Sequence, residues 1–267
     1  MRCMKSGRTN SRSEYPRQRD EIVYVYGKHV VDLALERQAA ALKHIYVSPQ
    51  FRDERLLAKI RRAQIKTQPL DERRLPGQLA RDVNHQGLVA ALDTSVLVQP
   101  YQQYIKQAPI EKNTLFLLLA EIHDPQNVGA MIRSAAAFGV QAVLLPTHQQ
   151  APLTGTVAKV SAGMVFTVPL VSIKNVNTTI ADLQSRGVAA YGLAGEGAES
   201  IHLTDFSTAS VLVVGNEGAG LREKTRATCD ALVTIPMHPR CESLNAASAV
   251  TASLAVWSKQ HRDALSA

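Results

Sequence analysis

The chain has 267 residues, enough for two cores of ordinary size, and its 45% hydrophobic and 20% charged content is that of a globular protein. No run reaches the ~18 apolar residues of a membrane span, because the most apolar stretch, Leu115 to Ile122, already contains Glu121 and leads into His123 and Asp124; the basic N-terminus lacks the apolar core of a secretory signal. The net charge of +7 is unevenly placed: residues 114–267 hold 10 Lys and Arg against 11 Asp and Glu, whereas residues 1–113 hold 20 against 12. A polyanion partner for the N-terminal part is the natural reading, and a solvated basic surface without a partner is the bland one.

Met1 to Asp20 carries six Lys and Arg against two acids and shows no apolar period, so a disordered basic arm is expected over residues 1–20. From 21 to 92 short β-like runs alternate with helical ones. IVYVYG, HIYVS, QIKTQ and GLVAAL read as strands, and Val30 to Ala41 and Phe51 to Ala63 carry apolar residues at helical spacing. This predicts a small α/β domain. Residues 93–113, with Pro100, Pro109 and no clear period, suit an interdomain linker. Tyr101 and Tyr104 within it have two readings, stacking on bases or packing locally.

A second domain is expected over 114–267. LFLLLAEI reads as a strand buried on both faces of a parallel sheet. The loop His123 to Asn127 leads to a helix with Met131, Ile132, Ala135 and Phe138 on one face, stopped at Gly139. The strand QAVLLP follows, then a helix over Thr154 to Ala162, FTVPLV as a strand, a helix around Ile180 to Gln184, and the strand VAAYGLAG. That rhythm argues a mostly parallel α/β sheet. Ser210 to Val214 is a further strand. It ends in a Gly-rich turn, GNEGAG, whose spacing is not the G-x-G-x-x-G of a dinucleotide site, and Glu217 sets a carboxylate where a pyrophosphate would lie. A helix of about nine residues, a short strand ending at Ile235, a loop closing on Ser243 to Asn245 and a small-residue helix from Leu244 to His261 complete the chain.

Three strings, DPQNVGAMIRSAAAFG, GNEGAGL and IPMHPRCESLNAASAV, resemble the motifs of the SpoU (TrmH) branch of the SPOUT RNA methyltransferases, in the family's order and over about half the chain. YGKHVVDLAL, LKHIYVS and VNHQGLVA resemble the substrate-binding domain of rRNA-modifying SpoU enzymes, which has an L30e-like fold and which short tRNA-modifying members lack. The resemblance implies a SPOUT-type parallel sheet with a trefoil knot behind an L30e-like RNA-binding domain, a cytoplasmic homodimer with no membrane or DNA partner, and methyl transfer from S-adenosylmethionine to a ribose 2′-hydroxyl. The RNA is expected to be rRNA, most closely a guanosine of 23S rRNA. A tRNA guanosine 2′-O-methyltransferase and a non-catalytic RNA-binding protein are the rivals; a nucleotide-dependent oxidoreductase is disfavoured by the failed fingerprint.

On the same resemblance Asn127, Arg133, Glu217, Ser243 and Asn245 are the candidate catalytic residues. Gly195, Gly215, Ile235, Met237 and Leu244 lie on the three loops that would hold the cofactor. An arginine is a poor general base at neutral pH, so Arg133 is expected to grip phosphate and stabilise a developing alkoxide. Glu217 is expected to bond substrate or to pair with Arg133, against the bland reading of an exposed turn acid. Ser243 and Asn245 stand where Ser and Asn commonly cap helices, which is compatible with placing the acceptor ribose. The apolar residues among the cofactor candidates would equally serve as core. Cys3, Cys229 and Cys241 form no CxxC pair; no metal site is expected, and a Cys241 nucleophile is disfavoured. The small residues of the last helix suit a dimer interface or packing within one subunit alike.

Overall fold

A computed structural model describes residues 22–77, 79–80, 82–195 and 198–265. The expected basic arm, with Cys3, and residues 196–197 of a candidate cofactor loop lie outside the described residues.

The first sheet contains β1 (Ile22–Tyr26), β2 (Leu42–Val47), β3 (Lys66–Pro69) and β4 (Leu88–Asp93) in the order β1-β4-β2-β3, with β4 antiparallel to both neighbours and β3 parallel to β2. One face is covered by α1 (Lys28–Arg37) and α2 (Glu54–Arg62), which send Val31, Ala34, Leu56 and Ile60 onto Val25, Ile45 and Ala90. The helices are shorter than the apolar spacing predicted. Gln38 leaves helical geometry at φ −141°, so α1 stops at Arg37 and a 3₁₀ turn, Ala39–Ala41, feeds β2. Asp53 caps α2 by accepting from the Leu56 amide at 3.2 Å, leaving Phe51 as a core residue ahead of the helix. On the other face Tyr24, Tyr26, Tyr46 and Val89 pack beneath Leu70 and Leu75.

The connection between the sheets is not a bare tether. It forms α3 (Thr94–Leu97), the strand β5 (Val98–Pro100) and α4 (Tyr101–Tyr104), and β5 pairs in parallel with the far edge of the second sheet. Tyr101 is 6% exposed and donates to Asp182 Oδ2 at 2.6 Å, and Tyr104 donates to the Gln141 carbonyl at 3.2 Å. Of the two readings of these tyrosines, local packing holds. Burial, then the Asp182 carboxylate, pushes the Tyr101 phenol far up.

The second sheet is wholly parallel, with eight strands in the order β10-β12-β9-β11-β6-β7-β8-β5. In chain order its elements are β6 (Leu115–Leu119), α5 (Pro125–Ala137), β7 (Ala142–Pro146), α6 (Gly155–Val160), β8 (Leu170–Ile173), α7 (Val176–Ser185), β9 (Ala189–Leu193), β10 (Glu199–Ser200), β11 (Ser210–Val214), α8 (Glu223–Thr228), β12 (Ala231–Thr234) and α9 (Ala246–Gln260). The FTVPLV strand begins only at Leu170, because Met164–Phe166 turns as a 3₁₀ helix, and the helix after the Gly-rich turn has six residues rather than nine.

Every residue of β6 and β11 is buried, as strands covered on both faces require. Leu115, Leu117 and Leu119 meet Met131, Ile132 and Trp257 of α5 and α9, while Phe116 and Leu118 meet Ile180, Leu183 and Leu221 on the opposite face. Each such aliphatic or aromatic side chain contributes about 1.5–3 kcal/mol by leaving water. The two sheets join where β1 lies against α6. Gly155 there allows so close an approach that any side chain would run into the Tyr24 carbonyl, and Lys159 sits over the Tyr26 ring at 5.7 Å.

Candidate active site

In a parallel sheet all carboxyl ends of the strands lie at one edge, so the order β12-β9-β11-β6 brings four consecutive loops together there. The loops after β9, β11 and β12 carry eight of the ten candidate residues, and the helix that follows the β6 loop, α5, carries Asn127 and Arg133. Each is placed by local chemistry. Asp124 caps α5, accepting from the Gln126 amide at 2.8 Å, and Pro125 occupies the first turn, where its missing N–H costs nothing. Asn127 follows at once and is 8% exposed.

After β11 the chain folds into a tight turn. Asn216 and Gly220 bond each other both ways, with N–O distances of 3.0 and 2.9 Å. Gly220 adopts φ +67°, and a side chain at Gly215 would collide with the Gly220 carbonyl. The Asn216 side chain holds the turn from inside, accepting from the amides of Gly218 and Ala219 at 2.9 and 3.1 Å and donating to the Glu121 carbonyl at 3.0 Å. It also meets His123 Nδ1 at 3.3 Å, so His123 stands as a loop residue beside the turn. The turn thereby presents Glu217 as an exposed carboxylate.

Three of the five catalytic candidates form one hydrogen-bonded chain. Asn245 caps α9, its Oδ1 accepting from the amides of Ala247 and Ser248 at 2.9 and 3.3 Å. With that oxygen engaged, Asn245 Nδ2 donates to Asn127 Oδ1 at 2.9 Å, and Asn127 Nδ2 donates in turn to Glu217 Oε1 at 3.0 Å. Because each amide has one donating and one accepting end, the cap fixes the polarity of the whole chain and holds Glu217 as acceptor. The pairing of Glu217 with Arg133, one of the two roles expected, does not occur: Glu217 bonds Asn127 instead, and Arg133 is exposed with no ion-pair partner among the described residues. Ser243 is exposed, and its carbonyl accepts from Cys241 Sγ at 3.2 Å while its hydroxyl stays outside the chain. Of the two expected caps, only Asn245 serves.

On the loops after β9, β11 and β12, the carbonyl of Gly195 accepts from Thr234 Oγ1 at 3.3 Å, and the space a side chain would fill at Gly195 is open. Ile235 is half-buried against the core, whereas Met237 and Leu244 are 38% and 41% exposed. Two large apolar side chains left in water beside an open backbone suit the flat face of a nucleoside better than core packing does. Burial first, then Asp230, pushes the Cys229 thiol up to about 11, which disfavours its thiolate.

Sequence reading missed Asn216, although Asn before a Gly-rich run is the usual signal of a side chain that mimics a turn. It also missed Glu121, which holds a left-handed φ of +67° and for which the sequence carries no signal.

A family model described as the SpoU rRNA methylase family matches residues 114–255, and one described as RNA 2′-O ribose methyltransferase substrate binding matches residues 24–95. The chain belongs to the SpoU rRNA methylase family. Among SpoU relatives, it is 37% identical over 230 residues to the 23S rRNA (guanosine-2′-O-)-methyltransferase RlmB of Vibrio cholerae, covering 83% of this chain and 90% of that protein. To the protein of the same name from Ralstonia nicotianae it is 37% identical over 222 residues, covering 82% and 88%. The crystal structure of the SpoU methyltransferase AviRb from Streptomyces viridochromogenes in complex with the cofactor AdoMet superimposes with a TM-score of 0.78 at 24% identity, covering 92% of each chain, which shows the shared fold.

Proposed function

We propose that this protein methylates a ribose 2′-hydroxyl of RNA, a guanosine of 23S rRNA, with S-adenosylmethionine as methyl donor. The observation that carries the reading is the hydrogen-bonded chain Asn245–Asn127–Glu217, which ties the three motif loops into one site at the carboxyl edge of the sheet. The relatives named as 23S rRNA guanosine methyltransferases support the substrate, and the match of residues 24–95 to a substrate-binding model supports the N-terminal sheet as the RNA reader.

The residues present fit the cofactor. Ile235, Met237 and Leu244 supply apolar contact for its adenine, and the open backbone at Gly195 and the turn at Gly215 supply polar groups. When bound, it supplies an electrophilic methyl group, so the protein has mainly to align the acceptor and manage its proton. Glu217, held as an acceptor by Asn127, receives a hydrogen bond from the ribose hydroxyl. Arg133, unpaired and exposed, meets the phosphate and the developing alkoxide. Ser243 completes the loop that orients the ribose.

The placement of β11 between β9 and β6, with β12 beyond β9, supports the threading of a SPOUT knot, and the four-stranded sheet flanked by α1 and α2 supports an L30e-like module over 21–92 ahead of a catalytic domain over 114–267. No helix among the described residues is long and apolar enough to cross a membrane, and the bacterial rRNA-modifying relatives support a cytoplasmic location. Small residues exposed on α9, Ser248 and Ala255, support a homodimer.

The test is transfer of radiolabelled methyl from S-adenosylmethionine to total rRNA and, separately, to total tRNA, with Glu217→Ala as control. Label in rRNA alone, lost in the variant, is the expected outcome; label confined to tRNA, or none in either, overturns the reading.

A further inference from the structure

A second cleft opens at the same sheet edge, on the face opposite α5 and α9. It encloses about 190 Å³ and is lined by Glu121, His148, Gln149, Lys174, Asn177 and Arg222, with Gly220 of the Gly-rich turn at its rim. One largely exposed guanidinium spans part of its lining: Arg222 Nε meets Glu121 Oε1 at 2.7 Å, and Nη2 donates to Gln149 Oε1 at 2.7 Å. Glu121 and Gln149, the two partners of Arg222, both hold left-handed backbone, at φ +67° and +55°, which non-glycine residues rarely adopt.

Three features give the cleft its chemistry. Lys174 is exposed and forms no ion pair among the described residues, in a half of the chain whose net charge is −1. The first turn of α7, a helix of ten residues, forms one wall. Asn177 Oδ1 is buried and accepts no hydrogen bond. An unpaired ammonium beside a helix N-terminus suits a phosphate, and amide side chains beside them suit the hydrogen-bonding edge of a base. Gly220 lies three residues from Glu217, so a strand of RNA with its ribose at Glu217 reaches this cleft by crossing the turn.

We propose that the cleft binds the phosphate and base of a nucleotide flanking the methylated one in single-stranded RNA. Recognition of an unstacked base in this way is how sequence is commonly read in RNA. The proposal rests on the RNA-methylating reading above, and its test separates the two.

Lys174→Gln and Asn177→Ala are compared with the intact protein for binding of a short fluorescein-labelled single-stranded oligoribonucleotide, for methyl transfer to rRNA and for melting temperature. The expected result is an oligonucleotide Kd raised about tenfold in each variant. For Lys174→Gln the salt dependence of binding falls by about one unit, as for a lost phosphate contact. S-adenosylmethionine affinity and melting temperature stay unchanged. Affinity within about twofold of the intact protein in both variants overturns the cleft. So does a lowered melting temperature of Asn177→Ala with unchanged affinity, which marks a structural role. If the intact protein methylates rRNA and the variants bind normally, the cleft alone falls. If the intact protein transfers no methyl yet Lys174→Gln binds weakly, the cleft stands as an RNA site and the methyl-transfer reading falls.

Discussion

The two sheets of this molecule bury their strands differently. In the first, the edge strand β1 keeps Ile22 38% exposed, β3 is exposed along its whole length, and of the two inner strands β4 is nearly continuous core while β2 is only partly buried. In the second, β6 and β11 have no exposed residue. The first sheet is a half-wet platform, with 12 Lys and Arg against 8 Asp and Glu over residues 21–92, and the second is a dry scaffold whose outlets all leave at one edge. A charged surface needs area and solvent; a reaction site needs several loops held to fractions of an ångström. Mixed pairing serves the former, and parallel pairing with helices on both faces serves the latter.

That contrast can be broken at matched positions. Leu117→Ala in β6 is expected to cost about 2–5 kcal/mol, because the dry scaffold relaxes little around a cavity. Ile22→Ala in β1 is expected to stay within about 0.5–1 kcal/mol. Urea unfolding of both variants reads the difference, and equal costs would erase the distinction between the sheets. A second expectation sharpens it by separating scaffold from chemistry. Arg133→Ala removes an exposed side chain with no hydrogen bond or ion pair among the described residues, so its melting temperature should hold while turnover falls by about 10²–10³-fold. Calorimetry should find cofactor binding nearly intact in the variant; lost binding would show that Arg133 shapes the cofactor loops instead.

The smallest effect is expected where the connecting segment is tied to the second sheet. The Arg186 guanidinium, and then the Tyr101 hydroxyl, hold the Asp182 carboxyl below its ordinary value. A depressed carboxylate stabilises the fold above its unfolded pKa, about 3.9, and that contribution is lost as pH falls through the lower folded value. The melting-temperature difference between the intact protein and Asp182→Asn should therefore be full at neutral pH and shrink below about pH 4. A difference that grew in acid would contradict the tie.

How much was legible in the sequence follows from how local each cause is. β6 could be read because LFLLL is continuous; α5 is expected after a loop running to Asn127 but begins earlier, at Pro125, because Asp124 caps it. β5 could not: Val98, Gln99 and Pro100 have no pattern of their own and become a strand only because β8 offers them an edge. Tyr101 is buried for the same reason. At the site the motifs named the residues, but not who holds whom. Glu217 bonds Asn127, 90 residues away, rather than Arg133, because α5 turns Asn127 inward and leaves Arg133 outside, and no spacing along the chain encodes that choice.

The bond between Asn245 and Asn127 joins residues 118 positions apart. A contact of that reach sets the order of assembly: closing so long a loop costs entropy before anything is gained, and folds rich in such pairings form slowly. Between Asn127 and Asn245 lie the strands β7 to β12, so the bond that steadies Asn127, and through it Glu217, spans most of the second sheet. A fragment that ends before Asn245 lacks the cap whose oxygen, engaged by the amides of Ala247 and Ser248, sets the polarity of the chain to Glu217.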